Sequence, residues 1–206
     1  MRRILGQVIV VIVGAIALVG LGGVSTLLEP RQAVAVADTT ATDSTTLAGV
    51  RAQLADARRE LARTHQILEY ATRYSIAADL ATQIYDVAVA EGIPVGVGFQ
   101  LVRVESGFAN TAQSGAAAIG LTQVRLSTAR VYDPTVDASD LMNAGVNLRI
   151  GFRYLKDLLG RFDHNLPLAL EAYNKGPTFV SAEQSLGNDV EGRYSHAVMS
   201  GVRRKG

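Results

Sequence analysis

One carboxyl side chain stands out in this sequence as a group placed for chemistry. The run Leu101-Val-Arg-Val-Glu105-Ser-Gly-Phe108 sets Glu105 near the end of an apolar-patterned helix. Residues three and four apart share a helix face. Glu105 therefore shares its face with Leu101 and Val102, with Phe108 just beyond, while Arg103 points elsewhere. A carboxyl in such company is hard to ionise, and its pKa rises. It then keeps its proton near neutral pH, which is what a general acid requires. The plainer alternative is a helix-end glutamate whose head reaches water.

Other chemistries find no support. The chain has no cysteine, which excludes a disulfide scaffold, a thiolate zinc site and a cysteine nucleophile. His65, His164 and His196 are scattered without ligand spacing, and there is no HExxH helix, GxSxG elbow or GK[ST] phosphate loop. Gly96-Val-Gly98 lacks a third glycine and a preceding strand and reads as a turn. No metal and no cofactor is expected. Glu171 is the second carboxylate to weigh. It lies two residues from Tyr173, so on a helix the two point to roughly opposite sides. With Tyr173 on a cleft, Glu171 is expected in solvent. Asp133, Asp137 and Asp140 fall in or beside a loop and a helix cap, where a structural role is expected.

The elements that must position Glu105 are helical. Ser75 is expected to cap a helix over residues 75–90, carried by Ile76, Leu80, Ile84 and Val87 and ended by Gly92-Ile-Pro94. The second helix is expected over 97–106. Asp140 is expected to cap a third, with Leu148, Phe152, Leu155 and Leu159 on its apolar side and Gly160 as its stop. Asn165, with Pro167 two residues on, opens a fourth through Tyr173, which Gly176-Pro177 breaks. A last helix contains residues 194–199. No alternating strand pattern is legible, although residues 110–122 leave room for a small β element. The fold class is mainly α.

Three blocks in order now carry a resemblance: Glu105-Ser-Gly-Phe108, then Ser114 with Ala118-Ile-Gly-Leu-Thr-Gln123, then Ala172-Tyr-Asn-Lys-Gly-Pro177. Asn147-Leu148 and Gly151-Phe-Arg-Tyr-Leu155 look like a central helix between them, and Arg193-Tyr194 through Val198 like a closing one. The stretch 74–200 resembles the soluble lytic transglycosylases, peptidoglycan-cleaving enzymes with a lysozyme-like fold. The resemblance implies that Glu105 is the single catalytic acid. It implies that Ser114 and Gln123 line the sugar groove, that Tyr173 hydrogen-bonds near the acid, and that Asn174 is its cleft neighbour. Departures are Ala117 for the usual Gly, Thr122 for Met, Arg125-Leu126 for Met-Pro, and Glu171 and Lys175 for Ala. These bear on subsite shape and glycan preference; Thr122 removes an apolar contact that a methionine would offer a sugar ring.

Glycosidases usually need two carboxylates. One candidate fits the substrate-assisted route that the resemblance implies, which ends in a 1,6-anhydromuramyl product without water. A lysozyme-like muramidase and a non-catalytic glycan-binding module of an envelope complex are the alternatives. The implied partner is the peptidoglycan glycan strand.

The 206 residues are 48% hydrophobic with a formal net charge of +1, which argues against nucleic-acid binding through a broad basic face. Much of the hydrophobicity is one block, residues 4–28, without a charged side chain and preceded by Arg2 and Arg3. This predicts a membrane helix, N-terminus inside and the rest exported, with catalysis in the periplasm or cell-wall space. The alternative is a signal peptide cleaved after Ala35-Val36-Ala37. Residues 1–28 are thus read as anchor, 29–46 as flexible linker, 47–73 as helical stalk and 74–206 as catalytic domain. The stalk repeats Leu47, Val50, Leu54, Ala57, Leu61, Thr64 and Leu68; a packed helix or spacer is favoured over a short coiled coil.

Overall fold

A computed structural model describes residues 30–190 and 192–203. The expected membrane segment lies outside them. Among the described residues no helix is long and apolar enough to cross a membrane. The chain divides after Leu54 into two compact units. Helix α1, Pro30–Tyr74, contributes to both. Residues 30–46 are helical, where the composition predicts a tether. Pro30 sits in the first turn, where it costs no hydrogen bond, and no Gly or Pro follows until Gly49.

The second unit, from Ala55, holds the remaining elements. These are α2 (Ala78–Glu91), α3 (Val95–Ser106), β1 (Ala118–Ile119), β2 (Val124–Arg125), α4 (Leu126–Tyr132), α5 (Ala144–Arg161), α6 (Leu166–Lys175), α7 (Pro177–Ser185) and α8 (Arg193–Arg203). A 3-10 turn, Asp140–Met142, precedes α5. The unit is mainly α, as the sequence predicts.

Its core is the meeting of α2, α3, α5, α6 and α8. Phe99, Leu101, Leu148, Phe152, Leu155 and Leu170 have no exposed surface. Each such side chain contributes about 1.5–3 kcal/mol by leaving water. Gly98 lets α3 approach α5: a Cβ there would lie 3.1 Å from the Phe152 ring. The end of α1 closes the core from one side, with Tyr70 stacked on Phe99 at 4.1 Å between ring centroids. A smaller cluster, Ile119, Val124, Ala129, Val136, Leu141 and Ile150, lies under the β-hairpin. The two strands are antiparallel, with Ala118 opposite Arg125 and Ile119 opposite Val124.

Several helix ends follow the expected chemistry. Asn165 accepts a hydrogen bond from the Leu168 N–H at 3.2 Å, and Pro167 sits in the first turn. Others differ. Ser75 does not open α2. It closes α1, with φ +53°, the Ser75 N–H donating to Thr72 O and the Ile76 N–H to Ala71 O. This pair of hydrogen bonds is a Schellman closure, built around one left-handed residue. Asp140 caps no long helix; it opens the 3-10 turn, and Asn143 caps α5 through the Val146 N–H. Gly176-Pro177 ends α6 as expected, but the same proline starts α7.

Candidate active site

Helix α3 delivers Glu105 in its last turn, two residues before the left-handed C-cap Gly107 (φ +57°). Ser106 pins that end: its hydroxyl bonds Leu121 O at 2.9 Å, tying α3 to the segment before β2. Glu105 is half-buried and lies in a cleft of about 530 Å3. Burial pushes its carboxyl above the usual range, and a hydrogen bond from the Tyr194 hydroxyl to Oε1 offsets part of that rise. Among the residues lining the cleft Glu105 is the one carboxylate, with Arg125 and Lys175 as the cations. Among the described residues no three His, Asp or Glu side chains gather where a metal ion would be held.

The structure brings the five residues singled out in the sequence to this one cleft: Glu105, Ser114, Gln123, Tyr173 and Asn174. Their local roles differ. The Ser114 hydroxyl accepts from the Ala116 and Ala118 N–H groups, both at 3.2 Å, so it shapes its loop as well as lining the groove. The Gln123 amide donates to Ala112 O and Gly120 O at 3.1 and 3.0 Å. With both donors spent, its carbonyl oxygen is the polar atom left to a ligand. Tyr173 donates to Thr122 O at 2.9 Å, and its ring tilts against Tyr154 at 5.0 Å. The hydroxyl on Glu105 is that of Tyr194. Burial and the Glu105 charge hold that phenol well above its usual pKa, so it stays a donor. Sequence reasoning placed Tyr194 on the closing helix without a role. Its distance in sequence from Glu105 hid the pairing.

Two expectations are corrected here. Thr122 is fully buried. Its hydroxyl bonds Asn147 Oδ1 at 2.7 Å, its N–H bonds the same oxygen at 2.8 Å, and it lies against Gly151 in the interior. It therefore does not face the sugar groove. Asn147 in turn donates to Ile119 O and Leu141 O at 2.8 and 3.0 Å, fastening the hairpin and the 3-10 turn to α5. Glu171, expected in solvent, has no exposed surface. Its Oε1 accepts the Ser195 N–H at 2.9 Å, and Oε2 lies 2.9 Å from Lys175 Nζ. Burial pushes that carboxyl up, but the Ser195 and Lys175 partners outweigh it and hold it below the usual range. The face of α6 opposite Tyr173 is covered by α8, which single-helix geometry does not reveal. Asp133 and Asp137 do stay in the loop, bonding Thr135 and Ser139 respectively.

Comparisons with known proteins bear on the family and the fold. The family model of the transglycosylase SLT domain matches residues 83–194, a stretch that includes Glu105 and Tyr173 and ends on Tyr194. The lytic transglycosylase Slt of Pseudomonas aeruginosa, solved as an inactive Glu→Gln mutant, is 27% identical with a TM-score of 0.51. That match covers 58% of this chain and 22% of the other. The 70 kDa soluble lytic transglycosylase SLT70 of Escherichia coli is 25% identical with a TM-score of 0.47, covering 63% of this chain and 21% of the other. The chain thus spans about a fifth of the length of each matched structure. The mainly α fold is lysozyme-like, as the sequence resemblance implies.

Proposed function

The chain belongs to the transglycosylase SLT domain family, and from that premise we propose that it is a lytic transglycosylase cleaving the β-1,4 bond between N-acetylmuramic acid and N-acetylglucosamine in peptidoglycan. The observation that carries the reading is the single half-buried carboxyl, Glu105, set in a cleft with polar walls and bonded by Tyr194. The inactive Glu→Gln form of the Pseudomonas Slt adds support.

Glu105, its pKa raised by burial, donates its proton to the glycosidic oxygen as the bond to the muramyl C1 breaks. Tyr194 occupies Oε1, which leaves Oε2 as the oxygen that carries and gives up the proton. The muramyl N-acetyl oxygen stabilises the cationic centre at C1. Glu105, now a carboxylate, takes the proton from the muramyl C6 hydroxyl, and that oxygen closes on C1. The products are a free 4-hydroxyl on one strand and a 1,6-anhydro ring on the other. Water does not enter, and Glu105 ends protonated as it began. The intramolecular attack gains in effective molarity, so a second carboxylate is unnecessary.

The charge-free stretch 4–28 behind Arg2 and Arg3 supports tethering to the membrane with the domain on the exported side, where peptidoglycan lies. The test is mass spectrometry of products from purified sacculi. Anhydro ends support the reading; ends one water heavier make the protein a muramidase; binding without release makes it a glycan-binding module. Glu105→Gln is expected to keep the fold and lower turnover about 100-fold or more, the scale of general-acid catalysis. Wild-type turnover in that variant would remove Glu105 from the mechanism.

A further inference from the structure

We infer that Glu171, a carboxylate the reaction never touches, is the positioning residue that holds Tyr194 on Glu105. The inference rests on the reading of Glu105 as the acid and extends it to the element behind it.

Glu171 is fully buried, and a charged side chain is rarely so placed unless it is paired. Its Oε1 receives the N–H of Ser195, the third residue of α8. The first N–H groups of a helix have no partner within the helix. The residue before α8 is Gly192, which has no side chain to cap them. Glu171 therefore supplies the cap from α6, and its negative charge meets the positive end of the helix dipole. The backbone closes on it tightly: a Cβ on Gly192 would lie 3.0 Å from Oε1 and 3.1 Å from Oε2. Tyr194 is the residue next to Ser195, on the same first turn, and it spends its hydroxyl on Glu105. Fixing the turn fixes the phenol.

The opposite end of the contact reaches the cleft. Lys175, which lines the cleft, places its ammonium 2.9 Å from Oε2. Glu171 thus joins α6, which carries Tyr173 and Asn174, to α8, which carries the partner of the acid.

The consequence is measurable at Glu105. The Tyr194 hydroxyl from α8 bonds Glu105, and the charged and titratable groups that line the cleft with it are Tyr154 from α5, Tyr173 and Lys175 from α6, and Arg125 from β2. Burial and the Tyr194 bond set its titration, and the Tyr194 bond lowers it. Loosening α8 must therefore raise the Glu105 midpoint, although the mutated residue touches neither Glu105 nor the cleft. The experiment is carbon-13 NMR titration of the Glu105 carboxyl in the full chain in detergent, beside the pH profile of turnover on sacculi. Tyr194→Phe is expected to raise the midpoint by about one pH unit. Glu171→Leu is expected to raise it by as much, and the double variant no further than Tyr194→Phe alone. Glu171→Gln keeps an acceptor for the Ser195 N–H and is expected near the wild-type value. The alkaline limb of turnover moves up in step. If Glu171→Leu does not fold, Gly192→Ala presses the same contact and is expected to shift the midpoint upward by less. A wild-type midpoint in a folded Glu171→Leu or Gly192→Ala variant, or additive shifts in the double variant, overturns the inference. Midpoints that behave as expected in a protein that releases no muropeptide would overturn the proposed reaction and leave the positioning role standing.

Discussion

Burial raises the pKa of Glu105 because the fold withholds water from its charge, and that has a consequence for stability. Its pKa is raised in the folded state, so folding binds the proton more tightly than the unfolded chain does. The stability this gives is fully present below the ordinary carboxyl range and is lost as pH rises through the folded value. Above that value the site holds a charge it disfavours. Glu105→Gln removes the charge and keeps an acceptor for Tyr194. The variant is expected to be more stable than wild type at pH 7 and to lose that advantage near pH 4, as read by chemical denaturation at both values. A constant difference across that range would contradict the raised pKa. Glu171 runs the other way: its pKa is lowered, so its contribution is present above the ordinary range and is lost as pH falls through the folded value. The half-buried setting of Glu105 was legible in the sequence because a helix face of Leu101 and Val102 declares its own environment. Tyr194 was not, because 89 positions separate it from Glu105 and no local pattern joins them.

At the scale of the element, the loop between α3 and β2 carries the groove wall and some strain. Ala117 has φ +58° and Gln123 φ +48°, left-handed values that cost a residue with a Cβ about 1–2 kcal/mol. Gly in place of Ala117 relieves that strain and adds about 0.5–1 kcal/mol of backbone entropy to the unfolded chain. Ala117→Gly is therefore expected to stabilise by about 0.5–1 kcal/mol, visible as a higher midpoint in urea. A loss of stability would mean that the loop does not hold this conformation. Legibility here follows length. α3, α5 and α6 were readable because each presents several turns of apolar spacing. The seven residues of α4 and the nine of α7 are too short for that spacing to repeat, and the two-residue strands too short to alternate. Ser75 is a capping residue type that the chain uses to close a helix by conformation, and residue type alone does not separate those uses. The error at Glu171 is of another kind. Opposition to Tyr173 was read correctly, but the face opposite a cleft need not meet solvent, and only the arrival of α8 shows that Glu171 is covered.

At the scale of the molecule, the folded unit is larger than the stretch that resembles other proteins. The family match begins at residue 83, whereas the compact unit begins at Ala55 and takes in the last turns of α1. Those turns bury Ile67 and Ala71, stack Tyr70 on Phe99, and join the Tyr74 hydroxyl to the Gln100 amide. Phe99 lies on α3, two turns before Glu105, so what covers Phe99 also steadies the helix that carries Glu105. A chain begun at Ala55 keeps these contacts, and one begun at Ile76 loses them and exposes one face of Phe99. Area burial and ring stacking together make the difference about 3–5 kcal/mol. Equilibrium denaturation of the two truncated chains is expected to show that gap, with the shorter chain losing turnover on sacculi in proportion to its unfolded fraction. Equal unfolding free energies would mean that α1 is a spacer with no part in the domain. The measured gap would instead make the end of α1 part of the folded domain, and the domain boundary would then lie in the middle of a helix.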